Sequence, residues 1–158
     1  VEKINDHQVR LVLPKGTSRI DLLNEAQGIV RELYGQDAVY TPQLKEWQRE
    51  DDFRSKTTSK TKLGIDGRVE GLDGKTRKQQ ERLIKKQWGE TQMAPLADLA
   101  VAHTAFFILT GKNLFQGQVV RACGGALDFD GDGLDVGSCS DGYSNDVVSA
   151  SRSLPSTN

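Results

Sequence analysis

Apolar residues recur along this chain in three rhythms. From Gln8 to Leu13 (QVRLVL) polar and apolar residues alternate, so Val9, Leu11 and Leu13 fall on one face of a strand, which Pro14, Lys15 and Gly16 end. Beyond Thr17 or Ser18, either of which can cap a helix, the spacing becomes helical. Leu22, Leu23, Ala26, Ile29, Val30 and Leu33 form one stripe that runs to about Tyr34. Asp21 and Glu25 favour the positive end of that helix, and Gly35 supplies its C-cap. The third rhythm, Ala94 to Thr110, is apolar on nearly all sides, which predicts a central, buried helix closed by Gly111. The Leu22-to-Leu33 stripe, with Leu99, Phe106 and Leu109 of the apolar helix, is the expected core.

The remaining segments are weaker. Ala38 to Tyr40 reads as a short strand, and Thr41-Pro42 starts a helix that turns Leu44 and Trp47 inward and stops near Glu50. Asp51 to Lys62 has one apolar residue, Phe53, and reads as an exposed loop. Gly64 to Gly74 suggests a short hairpin turning at Asp66-Gly67. Lys75 to Trp88 is a polar helix anchored by Leu83, Ile84 and Trp88, and Gln118 to Ala122 is a strand. After Gly124 Ser, Asp and Gly dominate, and only Val147-Val148 seeds a strand. The expectation is an α+β fold: a small sheet packed against one amphipathic helix and one central apolar helix, with an irregular acidic C-terminal segment wrapped outside. Residues 1–158 read as a single domain, with 152–158 a frayed tail.

Length agrees with one domain: 158 residues bury a sizeable core. No run of 18 apolar residues exists, so no helical membrane span is expected. The chain opens on Val1 and its one methionine is Met93, which reads as a processed chain or an excised segment. The net charge of −1 excludes no partner, but its distribution is uneven. Arg54 to Lys86 holds eleven Lys or Arg against four Asp or Glu, and Ala122 to Ser151 holds six Asp and no Lys or Arg. The two runs either neutralise each other, stay solvated, or bind something. Cys123 and Cys139, sixteen positions apart in a glycine-rich segment, are expected to pair, which leans the compartment toward the extracytoplasmic side; a cytosolic protein would keep both reduced.

The sharpest local chemistry is Asp128-Phe129-Asp130-Gly131-Asp132-Gly133-Leu134-Asp135. Carboxylates at alternate positions followed by glycine match the first half of a calcium loop, in which the turn lets a backbone carbonyl reach the ion. Asp128, Asp130 and Asp132, the Leu134 carbonyl and Asp135 are the expected calcium ligands. The position where a full loop has a bidentate Glu holds Cys139, so Asp135, Asp141, Asn145 or Asp146 would complete the shell. The run Ala126-Leu127-Asp128-Phe129-Asp130-Gly131 also resembles the first motif of haloacid-dehalogenase-like phosphotransferases, which implies Asp128 as nucleophile and Asp130 as acid/base. Asp132 stands where that family has threonine, and no lysine follows downstream. Leu96 to Gly125 resembles the closing helix and strand of short-chain dehydrogenases, which implies only a helix beside a strand. That family's glycine-rich cofactor turn and its Tyr followed four residues later by Lys are missing.

Two histidines complete the inventory: His7 near the N-terminus and His103 in the apolar helix, where a hydrogen-bonded core role is expected. Lys75, Arg77, Lys78, Arg82, Lys85 and Lys86 could track phosphates, with Phe53 and Trp88 only at the edges of the basic run. Three classes of function follow. The first is a non-enzymatic module that binds a protein partner, its acidic loop ordered by calcium. The second is a nucleic-acid-binding module using residues 54–86. The third is a hydrolase or toxin-like effector whose site the sequence does not mark, so whether the chain is an enzyme stays open at this stage.

Overall fold

A computed structural model of the chain describes residues 1–89, 92–137, 142, 144 and 148–155. In chain order its elements are β1 (Glu2–Lys3), β2 (Gln8–Leu13), α1 (Arg19–Tyr34), α2 (Thr41–Trp47), α3 (Asp51–Arg54), β3 (Thr61–Asp66), α4 (Arg77–Trp88), α5 (Leu96–Thr110), β4 (Val119–Ala122), β5 (Gly125–Asp130), β6 (Gly133–Gly137), β7 (Val148–Ala150) and β8 (Arg152–Ser153). The fold is α+β, as expected. The strands form two four-stranded sheets: β1-β2-β3-β8, antiparallel throughout, and β6-β5-β4-β7, in which only β4 and β7 run parallel. The apolar helix α5 packs against α1, β2, β3 and β5, so it touches both sheets and lies at the centre of the core. No helix among the described residues is long and apolar enough to cross a membrane.

Local chemistry explains why α1 begins and ends where it does. The Ser18 hydroxyl accepts from the Asp21 N–H at 3.1 Å, and Gly35 adopts φ +67° while its N–H returns to the Arg31 carbonyl. The buried face, however, is rotated from the expected stripe. Ile20, Leu23, Ala26, Gln27 and Val30 are buried, while Ile29 and Leu33 are 39% and 57% exposed. Gln27 takes a core position with both polar atoms of its amide bonded: its Oε1 accepts from the Ala38 and Val39 N–H groups, and its Nε2 donates to the Val39 carbonyl. A satisfied amide can occupy a core position that a pattern search assigns to an aliphatic. Leu109, at the far end of α5, is 51% exposed, whereas Leu99 and Phe106 are fully buried.

Three further expectations give way to long-range pairing. The hairpin turning at Asp66-Gly67 does not form: β3 instead pairs along its whole length with β2, from Gln8 opposite Asp66 to Leu13 opposite Thr61. The loop 51–62 is partly structured. Phe53 is buried and stacks on Trp47 with ring centroids 4.7 Å apart, and Thr61 and Lys62 open β3. The C-terminal segment carries four strands rather than an irregular wrap. β7 completes the second sheet, Ser151 donates both its N–H and its hydroxyl to the Arg121 carbonyl, and β8 then enters the first sheet beside β3. Arg152 and Ser153 are therefore strand residues and not part of a frayed tail.

Candidate functional site

Five of the basic site residues, Arg77, Lys78, Arg82, Lys85 and Lys86, come together on α4, and Lys75 lies just before its Thr76 N-cap. Thr76 and Gln79 form a reciprocal capping box that starts α4, and the Gly89 N–H closes it on the Lys85 carbonyl. Gln80 and Ile84 are the buried face: Gln80 donates to the Leu72 carbonyl and accepts from the Arg121 guanidinium, which also holds the Lys75 carbonyl at 2.8 Å. With that face fixed, helical periodicity turns Lys78, Arg82, Lys85 and Lys86 outward together, and all four are exposed. None of these four is in an ion pair among the described residues, whereas Arg77 is bound to Glu81 one turn on, at 2.8 Å. Beside the helix lies a cleft of about 500 Å³ lined by Arg77, Glu81, Lys85, Gln92, Met93 and Cys123.

The acidic site residues form a different object. Asp128 and Asp130 lie on β5 and Asp135 on β6, joined by a two-residue connection, Gly131-Asp132. The alternation of carboxylates is the period of a strand. Leu127 and Phe129 face the core with their cross-strand partners Val136 and Leu134, and the aspartates take the opposite face. Asp128 stands directly across from Asp135; burial raises its carboxyl above the ordinary value, and the Asp135 and Asp130 charges add to that. Asp130 accepts the Asp132 N–H at 2.8 Å. Leu134 is fully buried, its N–H donates to the Ala38 carbonyl, and its own carbonyl accepts the Tyr40 N–H. Gly133 is required here: it adopts φ +100°, and a Cβ would lie 2.9 Å from the Val39 carbonyl carbon. No group of three or more His, Cys, Asp or Glu among the described residues is disposed to hold a metal ion. Asp141, Asn145, Asp146 and Cys139 lie outside the described residues, and so does the pairing of Cys139 with the exposed Cys123.

An antiparallel hairpin with Asp128 and Asp130 inside its first strand is also not the setting that the resemblance to haloacid-dehalogenase-like phosphotransferases implies, where an apolar strand leads into the paired aspartates. The resemblance to short-chain dehydrogenases extends to a helix, α5, followed by a strand, β4.

Sequence reasoning missed one polar cluster. The Asp66 carboxylate, 2% exposed, meets His7 Nδ1 at 2.9 Å, the Gln8 amide at 3.1 Å, the Arg68 N–H at 3.2 Å and Arg152 Nε at 3.7 Å. Arg152 also stacks over the Trp88 ring at 3.9 Å. The cluster ties the start of β2, the end of β3 and β8 together, and its members lie so far apart in sequence that no local motif marks them. His103, by contrast, sits where the apolar helix placed it, with the Phe115 and Phe129 rings 4.5 Å away, and burial pushes its imidazole down to about 3, so it is neutral at physiological pH.

The chain matches no protein-family model, no curated protein and no solved structure.

Proposed function

We propose that this chain is a binding module, and that the exposed face of α4 holds the phosphate backbone of a nucleic acid. The observation that carries the reading is the stripe of Lys78, Arg82, Lys85 and Lys86, exposed together and in no ion pair among the described residues. Cations left without protein partners keep their full field for an external polyanion. None of the ion pairs among the described residues joins α4 to the β5–β6 hairpin. Among the described residues, Glu81 is the one carboxylate that lines the cleft beside α4. Sequence specificity is not implied, because phosphate contacts position a ligand without reading its bases.

The test is fluorescence anisotropy with duplex DNA and single-stranded RNA across a salt series. Four phosphate contacts give a slope of roughly −3.6 in log affinity against log salt on duplex DNA, or about a hundredfold loss between 50 and 200 mM. Charge reversal of Lys78, Arg82, Lys85 and Lys86 to Glu should abolish binding. Absence of binding at low salt, or binding indifferent to salt, rejects the reading.

A second reading, of calcium at the hairpin, is favoured by one observation: Asp128 faces Asp135 across the ladder, with its carboxyl raised by burial and by those neighbouring charges. A cation there would take oxygens from that pair alone, with water completing the shell. Calcium should raise the melting temperature, magnesium should raise it less, and Asp128→Asn with Asp135→Asn should remove the effect. Superimposable melting curves in calcium and in chelator end this reading.

A further inference from the structure

Helix α4 carries two adjacent rows of side chains, each stepping four residues along the helix. Lys78, Arg82 and Lys86 form an exposed row, and Arg77, Glu81 and Lys85 form the row that lines the cleft of about 500 Å³. Both walls of that cleft are held from behind. On the helix side the Arg121 guanidinium bonds the Gln80 side chain and the Lys75 carbonyl, each at 2.8 Å. On the far side the Gln92 carbonyl accepts from the Ser153 N–H of β8 at 3.2 Å, and the Ala94 carbonyl accepts from the Cys123 N–H, just past β4, at 2.8 Å. A cleft anchored on both sides is largely formed before a ligand arrives.

The lining is mixed. Ile84 and Met93 contribute apolar surface, and the Met thioether is a polarisable partner for a flat aromatic ring. Glu81 and Gln92 contribute hydrogen-bonding groups to the same cleft. Arg77 Nε donates to Glu81 Oε1 at 2.8 Å, and Glu81 Oε2 makes no hydrogen bond among the described residues. An ionised carboxylate only accepts, so that oxygen calls for a donor on whatever enters.

We propose that this cleft takes one unstacked base of a single-stranded nucleic acid, and that it favours a base whose edge carries an exocyclic amino group, cytosine over uracil. The inference rests on the reading of α4 as the phosphate-binding face and deepens it. Lys85 belongs both to the exposed basic stripe and to the cleft, so a strand whose phosphates follow Lys78, Arg82 and Lys86 can turn a base past Lys85. A base is apolar on its faces, which suits Ile84 and Met93, and polar at its edge, which suits Glu81 and Gln92. The Glu81 carboxylate accepts from the cytosine N4 amino group. Uracil has an acceptor oxygen at that place, which a carboxylate repels. A duplex keeps its bases stacked and must open a pair to reach the cleft. The phosphate row supplies affinity and the cleft supplies the choice of base.

The test uses the whole chain with fluorescein-labelled oligocytidylate, oligouridylate and an RNA duplex, all of equal length, in fluorescence anisotropy at low salt. Oligocytidylate should bind about tenfold tighter than oligouridylate, and tighter than the duplex. Glu81→Gln should bring the two single strands to equal affinity, because an amide both donates and accepts. Its melting curve should match the parent's, since the Glu81 side chain is half exposed. Lys78→Glu with Arg82→Glu should weaken both single strands and keep their ratio, which separates the phosphate row from the cleft. Equal affinity for the two single strands in the parent chain, with binding that still falls with salt, overturns the base site and leaves the α4 reading standing. A duplex bound as tightly as oligocytidylate, or a cytosine preference that survives Glu81→Gln, overturns it in the same way. No binding of any of the three at low salt rejects the α4 reading and the base site together.

Discussion

The basic helix α4 and the acidic β5–β6 hairpin carry runs of like charge, and the fold treats them in opposite ways. On α4 the cations stand on a face whose opposite side is pinned by Gln80 and Ile84, and they radiate into water. On the hairpin Asp128 and Asp135 are forced into register across a ladder, where side chains lie only about 4.5–5.5 Å apart at Cβ. Water screens the first set and partly leaves the second, which is why Asp128 has its carboxyl raised. A charge run on a helix surface is thus a ready ligand surface, whereas the same run on a strand stores repulsion that packing on the other face must offset. In the hairpin the offset comes from Leu127, Phe129, Leu134 and Val136.

That comparison breaks if the hairpin's inner face is not what holds it. Leu134→Ala removes a fully buried side chain and should cost about 2–5 kcal/mol in urea denaturation. A loss under half a kcal/mol would mean that the hairpin is held by something other than its core face. The next effect is a pH dependence from His103, which packs on Phe129. Its folded value of about 3 lies below the ordinary 6.5, so only the unfolded chain takes up a proton as pH falls below 6.5. Stability is complete above that value and should drop by roughly 2 kcal/mol by pH 5, a loss that His103→Leu removes. A third test concerns α4. Thr76→Ala deletes the capping box and should cost about 1 kcal/mol, a change in helix stability that leaves the basic face chemically intact. The smallest effect has the opposite sign to that of His103. A carboxyl raised in the folded state stabilises at low pH and loses that contribution as pH rises through its folded value. Asp128→Asn should therefore raise the melting temperature at pH 7, and the gain should vanish in acid. A lower melting temperature at pH 7 would show that the Asp128 charge is already neutralised by a bound cation or another partner.

Much of this could be read from the chain itself. Helices α1, α4 and α5 follow from periodicity and caps, because Ser18, Gly35, Gly89 and Gly111 act on their own immediate neighbours. The basic residues of α4 were legible for the same reason. The hairpin had a signal too, since Leu127 and Phe129 alternate with aspartates around Gly131-Asp132, and a period of two fits a strand as well as a calcium loop. The Asp66 cluster had none, because it joins His7, Asp66 and Arg152 from three distant parts of the chain.

By itself the sequence determined the α+β class, the existence of the main helices, the central place of α5 and which helix bears the cations. These are consequences of side-chain spacing within a few turns, where backbone geometry alone relates one residue to the next. Only the tertiary structure decided that Gln27 rather than Ile29 faces the core, that β3 pairs with β2 instead of folding back at Asp66-Gly67, and that β7 and β8 divide the C-terminal segment between two sheets. Each of those outcomes turns on a hydrogen bond or a strand partner supplied by residues remote in the chain, and local propensity carries no information about which remote group will be there.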